Sequence, residues 1–141
     1  MNYVLDTNVI SEAIKNVPDE VCEAWFEQHA EECFVTTITL GELQYGVERL
    51  PEGKRKRELR RKLDFLWNDF GERILEFDSG AAAEFGRYVA ELESARGLTA
   101  VEGGDVRDFQ IAAIARVHGC TVSTRNVRHF GGVRCVNPFL P

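Results

Sequence analysis

The sequence contains no run of about 18 apolar residues, which is the length that a membrane-spanning helix needs. It also shows no secretory signal peptide, because the basic first region is missing and Asp6 and Glu12 interrupt the early apolar pattern. These absences predict a cytoplasmic protein without a membrane segment.

Cysteine is scarce and widely spaced. The chain has four cysteines, and none of them belongs to a Cys-x-x-Cys pair. Zinc sites built on cysteine draw on such closely spaced pairs, so the spacing argues against one. We therefore expect buried free thiols in a reducing compartment. The four are Cys22, Cys33, Cys120 and Cys135.

Negative charge is missing from the C-terminal part of the chain. Residues 109–141 contain no Asp or Glu but four arginines, although the net charge of the whole chain is −6. That net charge argues against broad affinity for nucleic acids, while the cationic segment still permits local binding of an anion. A second basic run is KRKRELRRK at residues 54–62. It is a solvated helix face, an RNA-backbone contact or a docking surface for a partner.

Apolar residues make up 44% of the 141 residues and charged residues 28%, which is the balance of a folded globular protein. The length suits one domain with a substantial core. We find no internal repeat and no linker. Residues 1–141 are therefore predicted to form a single domain.

Short apolar runs alternate with helical patterns along the chain. This alternation predicts an α/β fold, with a central parallel sheet of about five strands and helices on both faces. Turn formers mark residues 51–53 and 97–104 as the mobile segments. The predicted strands are 3–5, 33–35, 74–77, 121–123 and 133–136. Helices are predicted from residue 7, at 19–29, after residue 39, and at 54–70, 79–96 and 106–118.

Acidic side chains follow the predicted strands. Asp6 comes directly after the first strand, and Glu42 lies a few residues after the second. Asp105 and Asp108 lie at the start of the last long helix. In an open α/β sheet, ligands bind at the carboxyl ends of the strands, so these acids are expected to meet in one crevice.

Each acid also has a purely structural interpretation. Asp6 and Asp105 suit the N-cap of a helix, and acids in a first turn are favoured by the helix dipole. Thr39-x-x-Glu42 matches a capping box, and Asp108 occupies the N3 position after Asp105. Taken one at a time, the acids do not separate capping from chemistry.

As a set, the acids favour a metal site. Three carboxylates in one crevice raise one another's pKa unless a cation lies between them. Mg²⁺ or Mn²⁺ prefers such an all-oxygen shell, and no histidine or cysteine is close in sequence to favour zinc. Hydrolysis of a phosphodiester suits this site, because the ion activates a water and neutralises charge on the phosphate.

Five segments occur in an order and spacing that resemble the signature of PIN-domain proteins. They are LDTNVISE, TTITLGELQYGV, DFQIAAIA, STRNVRHF and VRCVNPF, and they cover nearly the whole chain. The resemblance is greatest to the VapC-type toxins of type II toxin–antitoxin pairs, including the FitB-like branch. It implies a PIN-like α/β fold and a Mg²⁺- or Mn²⁺-dependent endoribonuclease.

The resemblance also assigns residues. Asp6, Glu42 and Asp108 match the metal-site acids of the family. Asp105 is then a helix cap that also helps to hold an outer-shell water. Thr7 and Asn8 match the small polar residues after the first acid, and Asn8 is expected to brace the Asp6 carboxylate or a metal-bound water.

One departure concerns the C-terminal side of the site. Relatives often carry a further acid where this chain has Asn126 or His129. Asn126 is expected to orient a water without adding charge. His129 is either an exposed loop residue or a phosphate contact and proton carrier. Arg125 either grips a phosphate or serves as a counter-ion to one of the acids.

The partners implied by the resemblance are an RNA substrate, a cognate antitoxin that covers the crevice, and a second copy of the chain in a homodimer or larger assembly. The alternative is a PIN-like module that binds RNA or a partner without cutting. A phosphatase of the haloacid-dehalogenase type requires a second Asp where this chain has Asn8, and a receiver domain requires adjacent N-terminal acids.

Overall fold

The computed structural model describes residues 1–96 and 104–141. Apart from Gly104, the turn segment expected at residues 97–104 lies outside the described residues. No helix in the two described ranges is both long and apolar enough to cross a bilayer. All four cysteines are free thiols, as predicted, but only three of them are buried, because Cys135 on the edge strand of the sheet is half-buried.

A five-stranded parallel sheet forms the centre of the molecule, in the order β3-β2-β1-β4-β5. The first strand is therefore central, between the second and the fourth. This arrangement confirms the predicted α/β class and the parallel sheet. The strands are β1 (Tyr3–Leu5), β2 (Cys33–Thr36), β3 (Ile74–Leu75), β4 (Thr121–Ser123) and β5 (Cys135–Val136).

The two edge strands are shorter than the sequence predicts. β3 stops at Leu75 because its partner β2 ends at Thr36 and offers no further ladder position. Beyond that point, the Phe77 backbone N–H donates to the Thr37 hydroxyl over 3.3 Å. β5 begins only at Cys135, because the Val133 N–H is already used in a turn to the Phe130 carbonyl.

The described ranges contain six α-helices, and their bounds agree closely with the predicted ones except for the start of the third. They are α1 (Thr7–Ala13), α2 (Glu20–His29), α3 (Thr37–Glu48), α4 (Lys54–Phe70), α5 (Ser79–Arg96) and α6 (Val106–His118).

The capping box predicted at Thr39 and Glu42 is wrong. β2 passes directly into α3, so Thr36 at the end of the strand is the N-cap, and its hydroxyl accepts from the Thr39 N–H over 3.1 Å. Thr39 is thus the N3 residue. Glu42 lies one turn further along α3, where its carboxylate is free for tertiary contacts.

The core has two parts, one on each side of the sheet. Successive residues of a strand point to opposite faces. Val4 accordingly packs with α5 and α6, and its neighbour Leu5 packs with α1 to α4. Both side chains are fully buried. Because its two faces are covered, β1 is held firmly, and so is the residue that follows it.

Candidate active site and metal centre

One open groove, with a volume of about 430 Å³, lies at the carboxyl ends of the three central strands. It contains all nine residues that the sequence singled out. We call it the acidic groove. The nine are Asp6, Thr7, Asn8, Glu42, Asp105, Asp108, Arg125, Asn126 and His129.

Asp6 is both a helix cap and a groove residue. Its backbone N–H donates to the Ser123 carbonyl of β4 over 2.9 Å, which fixes it at the strand end. Its Oδ1 accepts from the Thr7 N–H at 2.8 Å and caps α1. Its Oδ2 accepts from Asn8 Nδ2 at 3.0 Å and from the Thr124 hydroxyl at 2.7 Å. The carboxylate is therefore rigidly oriented.

Burial dominates the electrostatics of Asp6. The residue is only 4% exposed. Desolvation raises the pKa of its carboxyl, although the hydrogen bonds from Thr124, Thr7 and Asn8 act in the opposite direction. Because the charged form of this buried carboxyl is disfavoured, a nearby cation stabilises it.

Glu42 is held between a hydroxyl and a guanidinium. The Thr7 hydroxyl donates to its Oε1 over 3.0 Å, and Arg107 Nη1 lies 3.5 Å from its Oε2. Burial raises the pKa of the carboxyl, and the Asp6 and Asp105 charges add to this effect. The contacts with Thr7 and Arg107 offset it only in part.

Asp105 behaves as a cap. Its Oδ1 accepts from the Arg107 N–H at 2.9 Å, and its Oδ2 pairs with Arg107 Nη2 at 3.3 Å. Burial acts to raise the pKa of its carboxyl, but the hydrogen bonds from Arg107 outweigh burial and leave that pKa lowered. The bond from the Arg107 N–H is the N-cap contact that the sequence predicts, and the Arg107 guanidinium is in addition a counter-ion.

Asp108 has the most perturbed carboxyl of the site. Burial raises its pKa to about 6, with further contributions from the charges of Asp6 and Asp105. His129 Nδ1 lies 3.0 Å from its Oδ2 and partly offsets this rise. His129 is therefore in contact with a candidate ligand rather than remote from the site, although its own side chain is 56% exposed.

The arginine after β4 contacts a different acid from the three candidates. Arg125 Nη2 lies 3.4 Å from Glu12 Oε1, and its guanidinium stacks on the Phe139 ring with 3.8 Å to the centroid. Its backbone N–H donates to Asn8 Oδ1 over 3.2 Å. Arg125 is therefore a counter-ion to Glu12 rather than to one of the candidate metal-site acids, and its contact with a phosphate stays a prediction.

Asn126 lies at the rim of the acidic groove. Its backbone N–H donates to the Thr124 hydroxyl over 2.9 Å, so this one hydroxyl links the Asn126 loop to Asp6. The described contacts of Asn126 include no side-chain cap on the short 3₁₀ helix that follows it. No hydrogen bond of its side-chain amide is found within the described residues.

Sequence reasoning missed several residues of the groove. Glu12 is buried and is bound by Lys15 Nζ at 3.0 Å and by the Asp19 N–H at 3.1 Å. The contact with Lys15 lowers the pKa of the Glu12 carboxyl. The available signal was the helical spacing of Asn8, Ser11 and Glu12, which places them along one side of α1, with Lys15 continuing the spacing just beyond the end of the helix.

The donor set fits a hard divalent cation. Asp6, Glu42 and Asp108 supply only oxygen, and the Asp6 charge raises the pKa of the other two carboxyls. In the described part of the chain, no three His, Cys, Asp or Glu side chains already form a cluster able to hold an ion. Because Arg107 contacts Glu42 and His129 contacts Asp108, an ion would compete with these two side chains for the carboxylate oxygens.

Known proteins resemble this chain over nearly its whole length. Plasmid stability protein StbB from Pseudomonas syringae pv. tomato is 38% identical over 96% of this chain and 97% of its own. VapC ribonuclease Y4jK from Sinorhizobium fredii is 33% identical over 98% of both chains. A solved structure of FitAB bound to an IR36 DNA fragment superposes with a TM-score of 0.88, at 31% identity over 99% of this chain and 96% of the other.

The sequence model of the PIN domain matches residues 3–131, a range that contains every candidate ligand and the whole acidic groove. The order of segments, the five-stranded parallel sheet and the acids at its carboxyl end agree with this match. The chain belongs to the PIN domain family.

Proposed function

We propose that this chain is a Mg²⁺- or Mn²⁺-dependent endoribonuclease and the toxin of a VapBC-type pair. The observation that carries the proposal is the meeting of Asp6, Glu42 and Asp108 in one groove, each with a raised carboxyl pKa. A relative that bears the name VapC ribonuclease supports the same reaction class.

In this proposal the three carboxylates hold the cation. When bound, a hard divalent ion supplies neutralisation of phosphate charge and a water of lowered pKa. Asp6 is kept in place by its three donors, and Thr7 orients Glu42. Asn126 orients a water at the rim, and His129 carries a proton or contacts a phosphate next to Asp108.

The proposal includes partners and a location. A cognate antitoxin covers the groove, which is supported by the likeness to FitAB, a toxin–antitoxin complex. The toxin forms a homodimer or a larger assembly. A cytoplasmic location is supported by four free thiols, which persist in a reducing compartment.

Cleavage of structured RNA by the purified chain, free of antitoxin, tests the function. We expect cutting in Mg²⁺ or Mn²⁺ that EDTA abolishes, and a loss of about 100-fold or more in Asp6→Asn and Asp108→Asn. Asp64→Asn, at an exposed position of α4, is the matched control and should cut like the parent chain.

The outcomes separate the candidate functions. Absence of metal-dependent cutting, or equal cutting by both site variants, contradicts the nuclease. RNA binding that persists in EDTA without cleavage supports the non-cutting module. Retained cutting in Asp105→Ala together with loss in Asp108→Ala identifies Asp108 as the ligand and Asp105 as the cap.

A further inference from the structure

A second groove adjoins the acidic groove and carries the opposite charge. It has a volume of about 450 Å³ and lies between the end of α1 and the first half of α4. The linings of the two grooves share Ser11 and Lys15, so the grooves are adjacent. We call the second one the basic groove; its polar lining consists of Ser11, Lys15, Asn16, Arg55, Glu58 and Lys62.

Two of the three cations that line the basic groove, Arg55 and Lys62, have no acidic partner within the described residues. The third, Lys15, pairs with Glu12 at 3.0 Å. Lys62 Nζ donates to the Ile14 carbonyl at 2.7 Å and to Asn16 Oδ1 at 3.0 Å, and both acceptors are neutral. Arg55 is exposed and has no ion pair within the described residues. Glu58 is the single acid in the lining, and it lies 3.9 Å from Lys54. The groove therefore carries a net positive charge.

The remaining cations of the basic run do not line the basic groove. Lys56 is buried, and its Nζ donates to the Glu48 carbonyl at 3.1 Å and to Glu52 at 2.7 Å. Arg60 pairs with the Glu48 carboxylate at 3.5 Å. Arg57 is exposed and lines neither groove. The run is therefore not a uniform surface, and Arg55 and Lys62 are its groove members.

The acidic groove cannot by itself attract a polyanion. Five carboxylates line it against Lys15 and Arg125, and the whole chain has a net charge of −6. Affinity for RNA depends chiefly on cations that contact phosphates. Such cations lie immediately beside the acidic groove, with Lys15 at the junction between the two.

We propose that the basic groove binds the phosphate backbone of the RNA strand whose scissile phosphodiester lies in the acidic groove. This inference rests on the proposed ribonuclease function. Lys15 contacts the backbone where it passes between the grooves, and Arg55 and Lys62 contact phosphates further along. The position of the basic groove beside the acidic groove, where the scissile phosphodiester is proposed to lie, favours RNA as its occupant.

Anisotropy of labelled RNA tests this proposal in Asp108→Asn chains, which prevents cutting during the measurement. Arg55→Glu is compared with Arg57→Glu, a matched charge reversal on the same helix. We expect Arg55→Glu to weaken binding of a strand of about 20 nucleotides by about tenfold. The slope of log affinity against log salt concentration should fall by the equivalent of about one phosphate contact. The loss should be smaller for a strand of about four nucleotides, which fits within the acidic groove.

Each other outcome has a definite meaning. Equal effects of Arg55→Glu and Arg57→Glu, or equal losses for long and short strands, overturn the proposal. A loss of binding to a poly-glutamate peptide with no loss for RNA overturns it too and assigns the groove to an acidic protein. Cleavage by the chain with intact Asp108 is measured in parallel, so that a failure of the basic groove is distinguished from a failure of the nuclease.

Discussion

Asp6 serves two purposes because a carboxylate has two oxygens. Oδ1 accepts a hydrogen bond from the Thr7 N–H, one of the N–H groups in the first turn of α1 that have no partner within the helix. Oδ2 is oriented by hydrogen bonds from Asn8 and Thr124. Asp6 is therefore both the N-cap of α1 and a candidate metal ligand in the acidic groove. A cap is an effective way to aim a carboxylate into a groove, because the helix start fixes its backbone.

Asp108 makes the metal-free protein less stable as pH rises. Its pKa is about 6 in the fold against 3.8 as the ordinary value. Between these values the unfolded chain releases the proton and the folded chain retains it, so the free energy of unfolding falls with pH. Asp108→Asn is expected to raise that free energy by about 1–2 kcal/mol near pH 7.5 in EDTA, after allowance for solvent screening, and by little near pH 4.

Urea denaturation at the two pH values measures this effect, and Asp64→Asn is the control. Mg²⁺ should stabilise the parent chain near pH 7.5 and have little effect on Asp108→Asn, because a ligand that binds the folded state raises its stability. A variant less stable than the parent at neutral pH contradicts the assigned cost of the Asp108 charge.

Removal of two neighbouring hydroxyls at the end of β4 should have different effects on the free energy of unfolding. The Thr124 hydroxyl donates to Asp6 and accepts from the Asn126 N–H, whereas the buried Ser123 hydroxyl has no hydrogen-bond partner among the described residues. Thr124→Val is expected to cost about 1–3 kcal/mol of unfolding free energy, because it removes the shortest hydrogen bond to the buried Asp6 carboxylate and the acceptor of the Asn126 N–H. Ser123→Ala should be neutral or stabilising. Equal losses in urea denaturation are inconsistent with this assignment.

At the scale of elements, α4 shows how a charged run is divided by its surroundings. Leu63 and Phe70 are buried in the core beneath α1 and α3, while Phe65 and Trp67 remain exposed. The cations of α4, all of which lie at residues 54–62, are not equivalent. Lys56 lies at the C-terminal end of α3, where its ammonium meets an unsatisfied helix carbonyl, and this position favours a cation.

α4 therefore contains a lysine with a structural role, Lys56, which the composition of the helix does not reveal. Lys56→Ala is expected to lower the free energy of unfolding by about 2–3 kcal/mol, because it removes a buried, charge-assisted contact and its packing. Arg57→Ala should change it by less than about 0.5 kcal/mol, as for other exposed positions. Urea denaturation of the two variants checks the difference, and similar values exclude a special role for Lys56.

At the scale of the whole molecule, charge separation is the main feature. The acidic groove and the basic groove are adjacent, and a chain with net charge −6 thereby presents a local cationic surface beside its candidate metal site. Exposed aromatic residues add apolar surface to the molecule. Tyr45 is 65% exposed and Phe65 66% exposed, values that suit contact with another protein.

The proposed homodimer is a prediction at this scale. The purified chain should have a solution mass of about twice 15.9 kDa, or a higher even multiple, because the exposed aromatic side chains are then covered. Light scattering coupled to size exclusion measures this mass at several concentrations. A monomer mass throughout the range rules out a stable homodimer.

The sequence by itself determined the alternation of elements, the parallel sheet and the three acids at its carboxyl end. These features depend on local periodicity and on chain order, both of which are visible in one dimension. It also determined the cap at Asp105, since N-capping is a contact between near neighbours in the chain.

Only the tertiary structure decided which side chains share an environment. The contact between Arg125 and Glu12, the contact between Lys56 and the end of α3, and the junction of the two grooves at Lys15 all involve long-range packing. The start of α3 at Thr37 was hidden for a related reason, because strand pairing extends β2 to Thr36 and moves the cap with it. Contacts between distant segments follow from how the sheet and helices pack, and a local pattern holds no record of that packing.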